Sequence, residues 1–290
     1  MQIPQIKGLA ELTSKYNIFI FDIWGVIHAG GDIFPAAIDC IQKLKAAGKR
    51  VVFLSNAPRR SIKVMHILQQ KGLCPELYEF ILSSGQAARN AFEKKDYAIL
   101  NTIGLNYYKI GDEEDDDILD SLPLKRSNTI LMSDFLLGIG LSAKKPNISD
   151  YNDTLNDALS RNIPMVCVNP DKEVVRLGKY EPCAGALASY YSEKRGHVIY
   201  IGKPYPYIYK LCLAMLGTED KSKILAVGDS LETDIRGADR VGIDSLLVTS
   251  GVLAQKLEIM HPQATVSKTL SNLCKQEKVV PTAAISELCW

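Results

Sequence analysis

The sequence lacks three features that would place it at once in a large class of proteins: a long hydrophobic run, a strong net charge and a leader-like start. No apolar run approaches the roughly 20 residues that a helix needs to span a bilayer. Residues 1–16 lack the charged-then-apolar layout of a signal peptide. With a net charge of +1, no overall field attracts nucleic acid or an anionic membrane surface. We therefore expect a cytoplasmic protein that binds neither a nucleic-acid polymer nor a membrane.

Closely spaced metal-binding cysteines and histidines are also missing. The seven cysteines are scattered, odd in number and never spaced C-x-x-C. This pattern favours reduced thiols, by default small buried hydrophobic side chains, over disulfides or a zinc site. His66, His197 and His261 stand alone without ligand-like spacing, which argues against a transition-metal site.

What is present is an alternation of short apolar runs with helix-type stretches. At 290 residues the chain is expected to form two domains. Wholly apolar strands separated by helices predict a parallel sheet covered on both faces. The middle of the chain holds a second alternating set. We therefore predict an α/β fold with a Rossmann-like core formed by residues 1–86 and 198–290, and a smaller α/β domain inserted at 87–197.

Four apolar runs each end in polar groups suited to phosphate chemistry. These groups are Asp22, Ser55 with Asn56, Lys203, and Asp229 with Asp234 following shortly after. Ligands of parallel sheets bind outside the carboxyl ends of the strands, and neighbouring strands lie ~4.8 Å apart, so four such ends can converge on one site. Carboxylates held this close repel one another unless a cation lies between them. Hard oxygen ligands beside a phosphate point to Mg²⁺.

Each motif also has an ordinary structural explanation when it is taken alone. An Asp after a strand is commonly a turn residue or a helix cap, and Ser-Asn is commonly an N-cap. Lys203 could be a surface residue and Asp234 a simple cap. The occurrence of all four motifs in this order, each after a buried-type strand, favours a shared site.

In these motifs the chain resembles the haloacid dehalogenase-like hydrolase superfamily. It is most similar to the class IIA branch of nitrophenylphosphatase-like enzymes, which carry a large α/β cap of the C2 type. The resemblance spans nearly the whole chain and rests on FDIWGVIHAG, FLSNAPR, CVNPD, IGKPYPYIY and VGDSLETDIRGADRVGIDSLLVTSG. It implies a Mg²⁺-dependent phosphatase that acts on a small phosphorylated metabolite.

The resemblance also implies which residues bind the metal. Asp22 would be the nucleophile that becomes an aspartyl phosphate. Its other oxygen, the carbonyl of Trp24 and the carboxylate of Asp229 would bind Mg²⁺. Asp234 would support the waters on the metal or the lysine of the site.

The phosphate and the rest of the substrate fall to a different set of residues. By the same resemblance, Ser55 and the amide of Asn56 would hold phosphate oxygens, and Lys203 would neutralise the phosphoryl charge. Within the inserted domain, Asn169 and Asp171 could contact the substrate at the edge that closes over the site. A turn is an equally good explanation for these two residues.

Trp24 departs from the pattern of the superfamily. Its phosphatases have Asp two residues after the nucleophile, and that Asp protonates the leaving oxygen and later takes a proton from water. Such help is typically worth ~10²–10⁴-fold in rate, and an indole N–H has no useful acidity. We therefore expect an enzyme that is slow or restricted to good leaving groups, such as aryl or acyl phosphates. His28 titrates in a suitable range to substitute, although a structural role in the loop is the preferred interpretation.

Two alternatives to a phosphatase stay open at this stage. The chain could perform different phosphoryl-transfer chemistry on the same nucleophile, or bind a phosphorylated metabolite without turning it over. Retention of every charge-handling residue favours the phosphatase. The sequence does not identify the substrate, and it leaves self-association through the inserted domain open.

Overall fold

A computed structural model describes residues 3–176, 178–254 and 266–290, so His261 lies outside the described residues. In chain order the strands are β1 (Ile18–Phe21), β2 (Arg50–Ser55), β3 (Ile81–Ser83), β4 (Asn106–Ile110), β5 (Lys125–Arg126), β6 (Phe135–Gly138), β7 (Met165–Cys167), β8 (Glu173–Arg176), β9 (Lys179–Pro182), β10 (Val198–Tyr200), β11 (Ile224–Gly228), β12 (Asp244–Val248) and β13 (Ala283–Ile285). The α-helices are α1 (Pro35–Ala46), α2 (Ser61–Gln70), α3 (Ser84–Lys94), α4 (Asn152–Ser160), α5 (Ala184–Glu193), α6 (Pro206–Leu216), α7 (Arg236–Val241) and α8 (Val266–Glu277). None of the described helices is long and apolar enough to cross a membrane.

The first sheet is parallel throughout, with the spatial order β13-β12-β11-β1-β2-β3. Strand β1 shows why its sequence is apolar without alternation. Ile18 and Ile20 pack into one buried cluster, whereas Phe19 and Phe21 pack into another. Each such buried side chain contributes about 1.5–3 kcal/mol of transfer free energy. The prediction of a Rossmann-like parallel sheet covered on both faces is confirmed.

Several helices begin and end where the sequence supplies a local signal. Pro35 and Pro206 each occupy the first position of a helix, where the missing N–H costs nothing. The Ser83 side chain accepts a hydrogen bond from the backbone N–H of Gln86 and so caps α3. Helix α6 ends at Gly217, whose φ of 64° is left-handed. These signals set the ends of α1, α3 and α6, which follow β1, β3 and β10 in the chain.

The second sheet is also parallel, with the order β10-β7-β6-β4-β5, and β8 and β9 form a separate antiparallel hairpin. We call residues 106–200, which carry this sheet and the hairpin, the cap. Strand β10 pairs with β7 and so lies in the cap, although residue 198 was predicted to begin the second core segment. An apolar run does not say which of two sheets it joins. The junctions at 86/87 and 197/198 stay predictions.

Candidate active site

The polar ends of β1, β2 and β11 lie side by side because these three strands are neighbours in the first sheet. Asp22 follows β1, Ser55 ends β2 and Asp229 follows β11. The backbone N–H of Asp22 still donates to the carbonyl of Val227 at 2.8 Å, which extends the ladder and fixes the start of the loop. Carboxylate oxygens of Asp22, Asp229 and Asp234 lie within 4.8 Å of one another.

Lys203 reaches the same point from the cap. It follows β10, a strand of the second sheet, whereas the sequence pattern predicted a strand beside the other three. Its Nζ lies 2.6 Å from Oδ1 of Asp22 and 2.6 Å from Oδ1 of Asp234. The Asn56 side chain holds the lysine backbone: its Oδ1 accepts from Lys203 N–H at 2.7 Å, and its Nδ2 donates to Lys203 O at 3.0 Å.

The same Asn56 side chain connects the core to the cap. Its Nδ2 also donates to Oδ1 of Asp171 at 2.8 Å, and the Asp171 N–H donates to Oδ1 of Asn169 at 3.1 Å. A Cβ on Gly202 would lie 2.6 Å from Asn56 Oδ1, so the approach requires glycine there. Sequence reasoning considered only the amide of Asn56 and missed the role of its side chain, for which the sequence holds no signal.

Burial and mutual repulsion dominate the electrostatics of the carboxylates. Burial, then repulsion from Asp234, raises the pKa of Asp22 well above its usual value, and Lys203 opposes this. The same two causes raise the pKa of Asp229 to about 7. Burial lowers the pKa of Lys203, but attraction to Asp22 and Asp234 outweighs this and raises it overall. The lysine therefore stays charged. Burial also raises the pKa of Asp171 to about 6.

The arrangement fits a hard divalent cation. Three buried carboxylates around one ammonium leave excess negative charge, and oxygen donors at this spacing suit Mg²⁺ or Ca²⁺. The loop after Trp24 passes directly against Asp229: Gly25 has a φ of 78°, and a Cβ there would lie 1.9 Å from Asp229 Oδ2. That same oxygen accepts the N–H of Val252 at 2.7 Å. Close backbone and converging carboxylates at this end of the site could hold a metal ion.

The Trp24 side chain points to the cap. Its Nε1 donates to the backbone carbonyl of Val175 in the hairpin at 2.9 Å. The guanidinium of Arg176 lies 5.0 Å from the indole centroid, and the His28 ring meets the indole edge-on at 5.1 Å. An indole in these contacts has a structural partner on each side and no proton to transfer.

His28 is buried in the wall of the same site. Its Nδ1 accepts the backbone N–H of Gly30 at 3.0 Å, which leaves the proton of a neutral ring on Nε2. Burial, then the nearby charges of Lys71 and Arg176, lowers the pKa of His28 to about 4. A neutral His28 can donate a hydrogen bond at pH 7 but is not an imidazolium acid. Its catalytic role stays a prediction.

A cavity of about 730 Å³ extends from Asp22 between the core and the cap. Ser55, Asn56, Asn169 and Asp171 line its polar end. Its apolar walls come from α2 and from cap residues, among them Val64, Ile67, Leu68, Ile139, Leu141 and Val174. A smaller pocket of about 180 Å³ reaches Asp22 from the side of Asp229 and Ser230. This cavity was not predictable from the sequence, because its walls come from distant segments.

Comparisons with known proteins agree with this geometry. Residues 19–124 match the family described as haloacid dehalogenase-like hydrolase, and residues 200–273 match the related HAD-hydrolase-like family. The chain belongs to the haloacid dehalogenase-like hydrolases. Its relatives within that family are the nitrophenylphosphatase-like proteins of class IIA.

Three similar proteins illustrate the relationship. A 4-nitrophenylphosphatase of Schizosaccharomyces pombe is 26% identical over 282 residues, covering 90% of this chain and 92% of that protein. Phosphoglycolate phosphatase 2 of Arabidopsis thaliana is 25% identical, covering 88% and 89%. The crystal structure of a haloacid dehalogenase-like hydrolase from Brucella suis has a TM-score of 0.82 at 28% identity, covering 98% of this chain and 99% of that one. Relatives named as phosphatases support a phosphoric monoester hydrolase.

Proposed function

We propose that this protein is a Mg²⁺-dependent phosphatase that hydrolyses a small phosphorylated metabolite through an aspartyl-phosphate intermediate on Asp22. The observation that carries the proposal is the position of Lys203, whose ammonium lies 2.6 Å from both Asp22 and Asp234 beside the Asp229 carboxylate. The names of the curated relatives support phosphoryl chemistry for such a site.

The residues divide the work as follows. A carboxylate oxygen of Asp22 attacks phosphorus, the bond from phosphorus to the leaving oxygen breaks, and water later cleaves the acyl phosphate. Lys203 neutralises charge on the phosphoryl group, which is the main requirement of this transition state. Ser55 and the N–H of Asn56, at the end of β2, would bind phosphoryl oxygens. The side chain of Asn56 meanwhile holds the lysine backbone in place.

The metal would be held at the other end of the site. Asp22, Asp229 and the carbonyl of Trp24 would bind Mg²⁺, and Asp234 would support it while pairing with Lys203. When bound, the ion supplies positive charge that offsets the carboxylates and the incoming phosphate. Burial and mutual repulsion raise the pKa values of Asp22 and Asp229, and a bound cation would oppose that shift and favour their charged forms.

The leaving group is the point at which this site differs from its family. Trp24 occupies the position of the usual acid, and a neutral His28 does not replace it as a strong proton donor. The substrate then needs a leaving oxygen of low basicity, as in aryl or acyl phosphates. Cytoplasmic location and a metabolite of this kind belong to the proposal. The two alternatives, binding without turnover and other phosphoryl-transfer chemistry, are outcomes of its test.

The test is a parallel assay of aryl and alkyl phosphates with Mg²⁺, with Asp22→Asn as the inactive control. We expect measurable hydrolysis of the aryl esters and a steep fall in kcat as the leaving-group pKa rises. Inactivity of the wild type on every ester would overturn the proposal in favour of binding without turnover. A phosphoenzyme on Asp22 that forms but does not hydrolyse would indicate the other chemistry.

Trp24→Asp and Trp24→Phe form a matched pair for the missing acid. Both substitutions remove the indole N–H, but only the first restores a proton donor. We expect Trp24→Asp to raise kcat on alkyl phosphates by ~10²-fold or more over Trp24→Phe, since ~10²-fold is the lower end of what general acid catalysis contributes. Equal rates in the two variants would refute the missing-acid explanation, and loss of activity in His28→Ala would then assign that role to His28.

A further inference from the structure

The loop that carries the nucleophile is fastened to the cap hairpin at one side chain. Trp24 lies two residues after Asp22, and its indole donates to Val175 across 151 residues of sequence. The contact joins the first sheet to the β8–β9 hairpin, which lies outside both sheets. Because Val175 accepts through its backbone carbonyl, the contact fixes the course of the strand independently of the Val175 side chain.

A second contact braces the first. Arg176 lies against the indole ring at 5.0 Å, a distance suited to cation–π attraction. Its Nε donates to Glu181 of the opposite strand at 2.8 Å, which holds the guanidinium in that position. A Cβ on Gly30 would approach Arg176 Cγ to 3.3 Å and the indole to 3.5 Å, so the loop leaves a slot for this pair. The indole is thereby held between the backbone carbonyl of Val175, the Arg176 guanidinium and the His28 ring. We call this set of contacts the clasp.

The clasp lies between the two cavities that open onto the nucleophile. Trp24 and Val174 line both the 730 Å³ cavity and the 180 Å³ pocket, and Asp22 opens on each. The large cavity has the apolar walls that a leaving group would contact. The small pocket holds Asp229 and Ser230 beside Val174 and Val252, and it is the more polar of the two spaces. Indole and hairpin therefore form the partition between the two spaces.

We propose that Trp24 is a positioning residue that fastens the cap hairpin across the nucleophile and separates the leaving-group cavity from the carboxylate pocket. The chain thus has a clasp between cap and core where its family has a proton donor. The contact itself is independent of the proposed function, whereas its effect on catalysis rests on that function.

Hydrogen–deuterium exchange of the full chain tests the contact without any assay of activity. Trp24→Phe keeps an aromatic ring under Arg176 and removes only the N–H donor, and Arg176→Ala removes the brace. We expect amides of residues 173–176 and 179–181 to exchange about tenfold faster in Trp24→Phe, the effect of losing one ordinary hydrogen bond. Arg176→Ala is expected to give a threefold to fivefold increase. Arg161→Ala is the matched control, since Arg161 pairs with Asp157 at the same 2.8 Å elsewhere in the cap.

Two further measurements separate positioning from mere structure. In a Trp290→Phe background Trp24 is the remaining tryptophan, so Arg176→Ala should shift its emission to longer wavelength while Arg161→Ala does not. With an aryl phosphate, Arg176→Ala should raise KM more than it lowers kcat. Unchanged hairpin exchange in Trp24→Phe, or an unchanged KM in Arg176→Ala, would overturn the inference. A wild type without activity would overturn the proposed function instead, and the exchange and emission data would then decide the clasp alone.

Discussion

The pKa of Asp229 gives a prediction with a definite sign and size. Burial and repulsion from Asp234 raise the pKa of the Asp229 carboxyl to about 7, against a usual value of 3.8. Between these values the folded state holds a proton that the unfolded chain has released, so the metal-free protein loses stability as the pH rises. The contribution is fully present below pH ~4 and is lost by the time the pH has passed about 7.

The magnitude follows from the separation of the two pKa values. A gap of about three pH units corresponds to on the order of 4 kcal/mol in the free energy of unfolding. Asp229 is only 4% exposed, so solvent screens little of this. The substitution that removes this titration is Asp229→Asn, which keeps an acceptor for the N–H of Val252 and cannot ionise.

Urea unfolding at several pH values from 4 to 8, with EDTA present, measures the effect. The stability of wild type relative to Asp229→Asn should fall by about 4 kcal/mol across this range, and Mg²⁺ at pH 8 should stabilise the wild type far more than the variant. Asp39→Asn, which removes an exposed carboxylate paired with Lys43, should track the wild type throughout. Parallel curves for wild type and Asp229→Asn would refute the reasoning, because Asp229 would then titrate alike in both states.

Two other predictions concern the backbone of the site. Gly25→Ala places a methyl 1.9 Å from Asp229 Oδ2 at a left-handed φ, and should abolish the stabilisation by Mg²⁺ in a thermal-shift titration. Gly31→Ala, whose Cβ meets nothing within 4 Å, should retain it, and equal responses of the two variants would contradict the close approach. Asn56→Ala removes three hydrogen bonds of 2.7, 3.0 and 2.8 Å, and should cost about 2–4 kcal/mol in urea unfolding. Asn90→Ala, which removes one bond to a side chain, should cost less than 1.5 kcal/mol, and similar costs would show that the Asn56 contacts contribute little.

The sequence was informative where burial on both faces imposes a pattern. Strands β1 and β11 are apolar at every position because each lies inside the first sheet, and this made the parallel sheet predictable. Because the carboxyl ends of parallel strands meet at one edge of the sheet, the polar residues directly after those strands could also be predicted to lie close together. Asp22 and Asp229 converge because β1 and β11 are adjacent.

The sequence was uninformative where a residue depends on a distant partner. Nothing in VIYIGK says that β10 joins the second sheet, so the route by which Lys203 enters the site was not predictable. The β8–β9 hairpin has no fully buried residue and no long apolar run, so the clasp on Trp24 left no trace in the sequence pattern. Trp24 was recognisable as unusual because it departs from the family motif. That it contacts Val175 could be learned only from the folded structure.

The position of Lys203 directly after a cap strand limits how the domains of this protein can be recombined. The Lys203 ammonium reaches Asp22 directly after a strand of the cap, so the cap is more than an exchangeable cover on a self-sufficient core. A graft that swapped the cap for that of another family member would have to import β10 and keep the Asn56 contacts. In a domain exchange, the junction therefore belongs after Lys203. The sequence order alone would place that point inside the second core segment.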